Sequence, residues 1–399
     1  MKHQLSKAGK LLILTNALRS VVDLFLGPFL IAFFMVSLND SLVALSWYQI
    51  ISYFVLGIAS VLISVFLKNA NKKIGLGIGI FITIVYLFII IILGSNINIP
   101  GFAILFGLSA AFYWMPYNVF VSSVIKAKER KHFFSLSALI RNIFRMIAPF
   151  LLGLLITLIS YQLTALIIIL LCVIQLIAIS KIKYEEQEHV KLDIKSFINT
   201  LMQNNTAKKI FTFDIFSGLT RDATTIVMTI LIVDAFITDF NLGFWNSIFG
   251  IATVLTYYIF IKLIKQKHHT KIILINIVFI TLNGLMIFFE ISPVTIIIYN
   301  LSYATIINLT FLMQEIMLNT VVNEPTMKKY RTEYFMVREI ILNTFRIVSF
   351  FIVLYFITLD NIQAMNILLV VLTIGIIIQN VLIYSVEKEV KINEENASS

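Results

Sequence analysis

The sequence predicts an all-α membrane protein with twelve transmembrane helices in two six-helix bundles, and three observations carry that reading. The 399 residues are 59% hydrophobic and 13% charged, with mean hydropathy +0.94. A water-soluble fold of this length has no interior large enough for so much apolar side chain, whereas a bilayer is itself an apolar solvent. The apolar residues fall into runs of the roughly 20 residues that cross a hydrocarbon core as a helix. The runs are continuous, as in Ile89-Ile90-Ile91-Ile92-Leu93, and do not alternate as barrel strands would. Finally, the basic residues are sorted by loop.

In chain order the predicted spans are 11–36, 42–66, 74–94, 101–125, 133–158, 161–180, 208–236, 242–264, 272–291, 293–321, 335–359 and 364–385. The first run, Leu11 to Val36, is too long for a signal-peptide core and contains Arg19 and Asp23, so it reads as a retained span. Of the 31 Lys and Arg residues, 25 lie in the N-terminal tail, the C-terminal tail or alternate loops, and the loops on the other side hold none. The positive-inside rule then places both termini in the cytoplasm of a cell membrane. It also makes the net charge of +10 a matter of topology, scattered over many loops, and not a nucleic-acid footprint on one face. The other six basic residues are all arginines within spans: Arg19, Arg141, Arg145, Arg221, Arg338 and Arg346. Arginine keeps its charge in any protein environment and presents a fork of directed donors, so fixed positive sites are expected there.

The long loop from Lys181 to Lys209 falls at mid-chain, is rich in Glu, Lys, Gln and Asn, and reads as a linker or interfacial helix. The expected organisation is therefore a bundle over 1–180, a central loop over 181–207, a second bundle over 208–386 and a tail over 387–399. Residues support a duplication. Asn142-Ile143-Phe144-Arg145 matches Asn343-Thr344-Phe345-Arg346 at an offset of 201, which also pairs Asn118 with Asn319 and Arg130 with Arg331. An offset of 202 pairs Arg19 with Arg221.

With its 6+6 parallel repeat, inner termini and long middle loop, the chain resembles the major facilitator superfamily of secondary transporters over its whole length. Local motifs depart from the family pattern. The loop Leu67-Lys68-Asn69-Ala70-Asn71-Lys72-Lys73 keeps the basic character of the loop between spans 2 and 3 without its Asp and Gly, and the span 5 antiporter signature is reduced to Pro149 and Gly153. What the resemblance implies is a central cavity lined by spans 1, 4, 7 and 10, flanked by 2, 5, 8 and 11, with bundles that rock to give alternating access.

Candidate substrate-binding residues follow from intramembrane charge and aromatic clustering. Arg145 and Arg346 come near the bilayer centre, about twelve and eleven residues into their spans. As repeat mates they would face one another and suit a carboxylate or phosphate; alternatively, each locks its own bundle. Replacing either with alanine is expected to abolish transport of an anionic substrate and to leave the fold intact. Asn142 and Asn343 share their faces. Arg19 and Asp23, four apart, are expected to pair, either as an inert lock or as a switch in which Asp23 takes a proton and frees Arg19. Arg221 and Asp222 sit mid-span, and Glu315 lies on span 10; Asp23, Asp222 and Glu315 are the candidate proton-coupling acids. Trp114, Tyr117 and Asn118 belong to the densest aromatic stretch, Tyr113-Trp114-Met115-Pro116-Tyr117-Asn118. Packing alone also accounts for that stretch. Arg338 and Glu339 read as interfacial.

No phosphate-binding loop for ATP hydrolysis is present, no cofactor is expected, and the single cysteine, Cys172, makes an intrachain disulfide impossible. The pair His268-His269 has no acidic or cysteine neighbour in sequence, and no metal site is expected. The expected function is secondary active transport of a small anionic or amphipathic solute, driven by protons, by a monomer whose partners are solute, coupling ion and lipid bilayer. The alternatives are a flippase for lipids or lipid-linked glycans and a multidrug efflux antiporter. A membrane-embedded transferase would need a large outer loop, which is missing.

Overall fold

A computed structural model describes residues 5–30, 42–69, 72–94, 98–182, 192–235, 239–264, 268–359 and 362–398. The helices are α1 (Lys7–Leu24), α2 (Leu42–Asn69), α3 (Lys72–Leu93), α4 (Ile99–Val124), α5 (Arg130–Leu158), α6 (Tyr161–Ser180), α7 (Ile194–Gln203), α8 (Asn205–Ala235), α9 (Asp239–Leu263), α10 (His269–Phe289), α11 (Pro293–Ser302), α12 (Asn308–Val321), α13 (Arg331–Thr358) and α14 (Ile362–Ser398). Over its described residues each predicted span is helical, except for the last one or two residues of the spans 74–94, 101–125, 242–264, 272–291 and 335–359. Among those residues nine helical segments are long and apolar enough to cross a membrane. They match predicted spans 2 to 6 and 9 to 12. Of the other three, α1 and α8 carry intramembrane charges, and α9 offers the shorter apolar stretch Ile248–Lys262. Large apolar side chains point outward on many of these helices, with Phe150 73%, Ile92 78% and Phe289 80% exposed. Such a surface is stable against lipid and would aggregate in water.

The chain divides into two compact units, one of Met1–Phe197 with Met327–Asn343 and one of Ile198–Thr326 with Thr344–Ser399. In the first, α4 packs along α2 and α3, and α1 packs on α5 and α6. Small residues permit the closest approach. A Cβ on Gly79 would lie 2.6 Å from the backbone of Phe112 and Tyr113, and one on Gly107 would lie 2.6 Å from the Ser52 carbonyl oxygen. Backbone atoms cannot rotate aside as side chains can, so Gly79→Ala must push α3 from α4. We predict a loss of about 1–3 kcal/mol for Gly79→Ala, read as a lower unfolding midpoint in lipid nanodiscs. Gly77→Ala, whose new methyl meets only Leu176 at 4.0 Å, should be nearly silent. In the second unit α14 packs along α8 and α10, and Gly375 admits the Thr220 methyl in the same way, at 2.6 Å.

Helix starts are capped as their residues dictate. Ser6 Oγ accepts from Gly9 N–H, Asn98 Oδ1 from Gly101 N–H, and Asn204 Oδ1 from Ala207 N–H at 2.9 Å. Ser292 and Thr295 form a reciprocal capping box at the start of α11. Asp193 caps α7, accepting from Ser196 N–H at 3.0 Å. Hydrogen bonds from the Ser196 hydroxyl and backbone hold the Asp193 carboxyl below its ordinary value. A depressed folded value gives stability that is present above the unfolded value of about 3.9 and is lost as pH falls through the folded one. The first turn of α7 should therefore fray below about pH 4, seen as faster hydrogen exchange at the Phe197 amide, whose bond to Asp193 O closes that turn.

Among the described residues two helices contain a π-turn. Phe25–Phe29 continues α1 directly after Leu24 and includes Gly27 and Pro28, and a proline cannot donate to the helical ladder. Tyr303–Ile307 joins α11 to α12. Around it, side chains from neighbouring helices serve the displaced carbonyls. Thr253 Oγ1 donates to Ala304 O at 2.9 Å, Tyr257 Oη to Asn308 O at 3.0 Å, and Asn276 Nδ2 to Ile306 O at 3.4 Å. Away from water a backbone carbonyl needs such a partner, which places threonine, tyrosine and asparagine at these apolar depths.

Candidate functional site

In the first unit the polar centre is Arg19, which is only 1% exposed. One helical turn brings Asp23 beside it, with Nε to Asp23 Oδ1 at 2.7 Å, so the sequence-predicted pair forms. Nη1 donates to Thr83 Oγ1 on α3 at 3.1 Å, and the guanidinium lies over the Tyr113 ring of α4, 4.5 Å from its centroid. Three helices therefore fix one cation through an ion pair, a hydrogen bond and a ring face. Two donors remain. Arg19 Nη2 and the Tyr113 hydroxyl are buried and have no hydrogen-bond partner among the described residues. On α6, Gln175 is fully buried with both amide atoms unpartnered among the described residues, one helical turn from Cys172, a close neighbour of Arg19 and Asp23. Buried donors without acceptors are expensive to keep and point to a ligand or ordered water.

The pair is asymmetric. Asp23 is 23% exposed, so the acid end is open to protons and the arginine end is sealed. The aromatic stretch meets it through Tyr113, which stacks on Tyr117 at 5.7 Å and 11°, with Trp114 edge-on to both. The helix runs through Pro116 without interruption.

The other candidates are dispersed. Asn118 Nδ2 donates to Glu339 Oε1 at 3.5 Å, and Asn343 Nδ2 donates to Glu339 Oε2 at 3.3 Å and to its carbonyl at 2.7 Å. Glu339, read from sequence as interfacial, is thus 95% buried and joins two of the candidate asparagines. Asn142 turns back on its own helix, donating to Ala138 O at 2.7 Å. Arg145 belongs to the first unit and Arg346 to the second. In the second unit Arg346 Nε pairs with Asp222 Oδ2 at 3.1 Å, so two predicted site residues 124 apart in sequence come together. Arg221 instead places its guanidinium 4.7 Å from the Phe311 centroid, and Glu315 is half-buried on α12. Deeper in that unit Gln314 Nε2 donates to the fully buried Asp214 at 3.1 Å.

Sequence reading missed Thr83, Gln175 and the acidic partner of His269. His269 Nδ1 lies 3.0 Å from Glu387 Oε1, and its ring stacks on Phe260 at 5.3 Å. The histidine pair does therefore have an acidic neighbour, but one 118 residues away along the chain. Among the described residues no group of three or more His, Cys, Asp or Glu could hold a metal ion.

Comparison with known proteins places this arrangement. The sequence model of the Major Facilitator Superfamily matches residues 12–390. No curated protein matches the sequence. Among solved structures, the chain is similar to a bacterial homologue of the iron transporter ferroportin in its outward-facing state, at 12% identity, 96% of this chain, 100% of that one and TM-score 0.71. It is also similar to the transporter FucP in the outward conformation, at 13% identity, 93% and 97% coverage and TM-score 0.69. The human organic anion transporter MFSD10 is similar at 8% identity, 94% and 99% coverage and TM-score 0.62. A family match over nearly the whole chain, joined to helices built for lipid, means that this protein belongs to the Major Facilitator Superfamily and is a multi-pass membrane transporter of that fold.

Proposed function

We propose that the protein is a proton-coupled secondary transporter of a small anionic solute, working by alternating access from a cell membrane with both termini in the cytoplasm. The observation that carries this reading is the Arg19 guanidinium, sealed from solvent, tied to Asp23 and left with an unused Nη2, over the ring of Tyr113, whose hydroxyl is also unused among the described residues. Two buried donors next to a fixed positive charge match a carboxylate or phosphate oxygen. The human neighbour is itself named for organic anions, so the fold accommodates such cargo.

Coupling follows from competition for one cation. An ionised Asp23 occupies Arg19. A proton on Asp23 removes the counter-charge and releases Nε, which then joins the unused Nη2 in serving an incoming oxyanion. Anion and proton therefore favour one another's binding by the same factor, as linkage requires. A monoanion carried with one proton moves no net charge. Tyr113 and Cys172 are titratable groups close to the pair, and both are buried. Arg346 with Asp222 supplies a second arginine–carboxylate pair, in the other unit.

The test is a thermal-shift screen of the purified protein against anionic metabolites, amphipathic cations and sugars. Carboxylates or phosphate esters should raise the unfolding midpoint, and should do so more as the pH is lowered, since a proton on Asp23 frees the arginine. Stabilisation by amphipathic cations alone would favour drug efflux and overturn the anion reading.

A further inference from the structure

The short helix α7 (Ile194–Gln203) carries an apolar face that its own fold leaves half used. At about 100° per residue, Phe197, Leu201, Ile194, Ile198 and Met202 form one continuous arc of about 140°. Phe197 and Leu201, on one side of that arc, are buried, and Phe197 packs on Tyr330 and Tyr334 at 6.0 and 6.1 Å. Ile194, Ile198 and Met202, on the other side, are exposed. Lys195 borders the exposed stripe, and Asn199 and Gln203 follow it around the helix.

The position of the helix identifies what covers the stripe. A single residue, Asn204, separates α7 from α8, and α8 turns apolar at Ile210 and Phe211 just after Lys208 and Lys209. Tyr330 and Tyr334 flank Arg331, the first residue of membrane-crossing α13, and the Asp193 N–H at the start of α7 donates to Glu333 Oε1 of α13 at 3.1 Å. Both ends of α7 are therefore tied to the depth at which helices enter the bilayer. An exposed isoleucine–methionine stripe with a lysine at its border, at that depth, has the pattern of a helix lying in a lipid surface.

We infer that α7 is an interfacial helix that seats Ile194, Ile198 and Met202 among the acyl chains of the leaflet on the side of the basic loops, with Lys195 at the headgroups and Asn199 and Gln203 toward water. Its inner face then fixes the start of α13 at the membrane surface through Phe197. This role is independent of the solute and coupling ion assigned above.

The experiment introduces single cysteines at 194, 198, 199, 202 and 203 in the full chain, in vesicles of phosphatidylcholine and phosphatidylglycerol. Each is labelled with a nitroxide, and collisions with oxygen and with a neutral water-soluble nickel chelate are measured. The buried native Cys172 gives the background in unaltered protein. Labels at 194, 198 and 202 should favour oxygen over nickel by about threefold or more relative to those at 199 and 203. Nickel access at all five positions would overturn the inference. So would shielding of 194, 198 and 202 from both reagents, which would mean that protein, either another segment of this chain or a second copy, covers the stripe.

Discussion

Arg19→Ala will lower the affinity for the transported anion by roughly two orders of magnitude, because truncating one partner of a desolvated charge pair costs about 2–5 kcal/mol. The loss has three parts. The cation over Tyr113 disappears, Thr83 loses its donor, and Asp23 keeps a negative charge where an oxyanion should arrive. Since that charge alone can unsettle the bundle, Arg19→Lys is the informative companion. Lysine keeps the charge but has no planar fork to serve Asp23, Thr83 and an oxyanion together. It should fold as the wild type does, with an unfolding midpoint within a few degrees, and still lose about tenfold or more in affinity. Wild-type affinity in Arg19→Lys would show that directed donors at this position are not used.

Asp23→Asn will separate binding from accumulation. Asparagine is nearly isosteric with a protonated aspartate, so Arg19 is permanently released and the anion binds at least as tightly as before, with no dependence on pH. Without a titrating group the proton gradient has no purchase on the solute. Counterflow exchange in proteoliposomes should persist, while uphill uptake driven by an imposed pH gradient should fall to the passive level, at least about tenfold below wild type. Uphill uptake that survived intact would move the coupling group elsewhere, with Asp222 beside Arg346 the next to examine.

The layout of these helices was legible in one dimension because lipid imposes a one-dimensional rule. Every backbone polar group in hydrocarbon must be satisfied within its own helix, and basic residues mark one side. Arg19 and Asp23 were legible for a similar reason, since four residues make one turn and their partnership is local. What stayed hidden depended on packing between helices. Glu339 looked peripheral from its distance along α13, yet it is buried and accepts from Asn118, 221 residues earlier. Thr83 lies in an apolar run with no local signal, and only the close approach permitted by Gly79 brings α3 to the α4 backbone beside Tyr113. His269 and Glu387 meet because α10 and α14 lie side by side. Of the two π-turns, Phe25–Phe29 is foreshadowed by Gly27 and Pro28, whereas Tyr303–Ile307 contains neither residue type and depends on donors from α9 and α10.

If anion and proton meet at one arginine–aspartate pair, anion binding takes up a proton. Calorimetric titration of the stabilising carboxylate or phosphate ester, repeated in buffers of different ionisation enthalpy near neutral pH, reads the protons taken up per anion bound. Proton uptake should rise toward one per anion in wild type as the pH is raised, and should be absent in Asp23→Asn. Anion binding with no proton uptake in wild type at any pH, or uptake unchanged in Asp23→Asn, would contradict it.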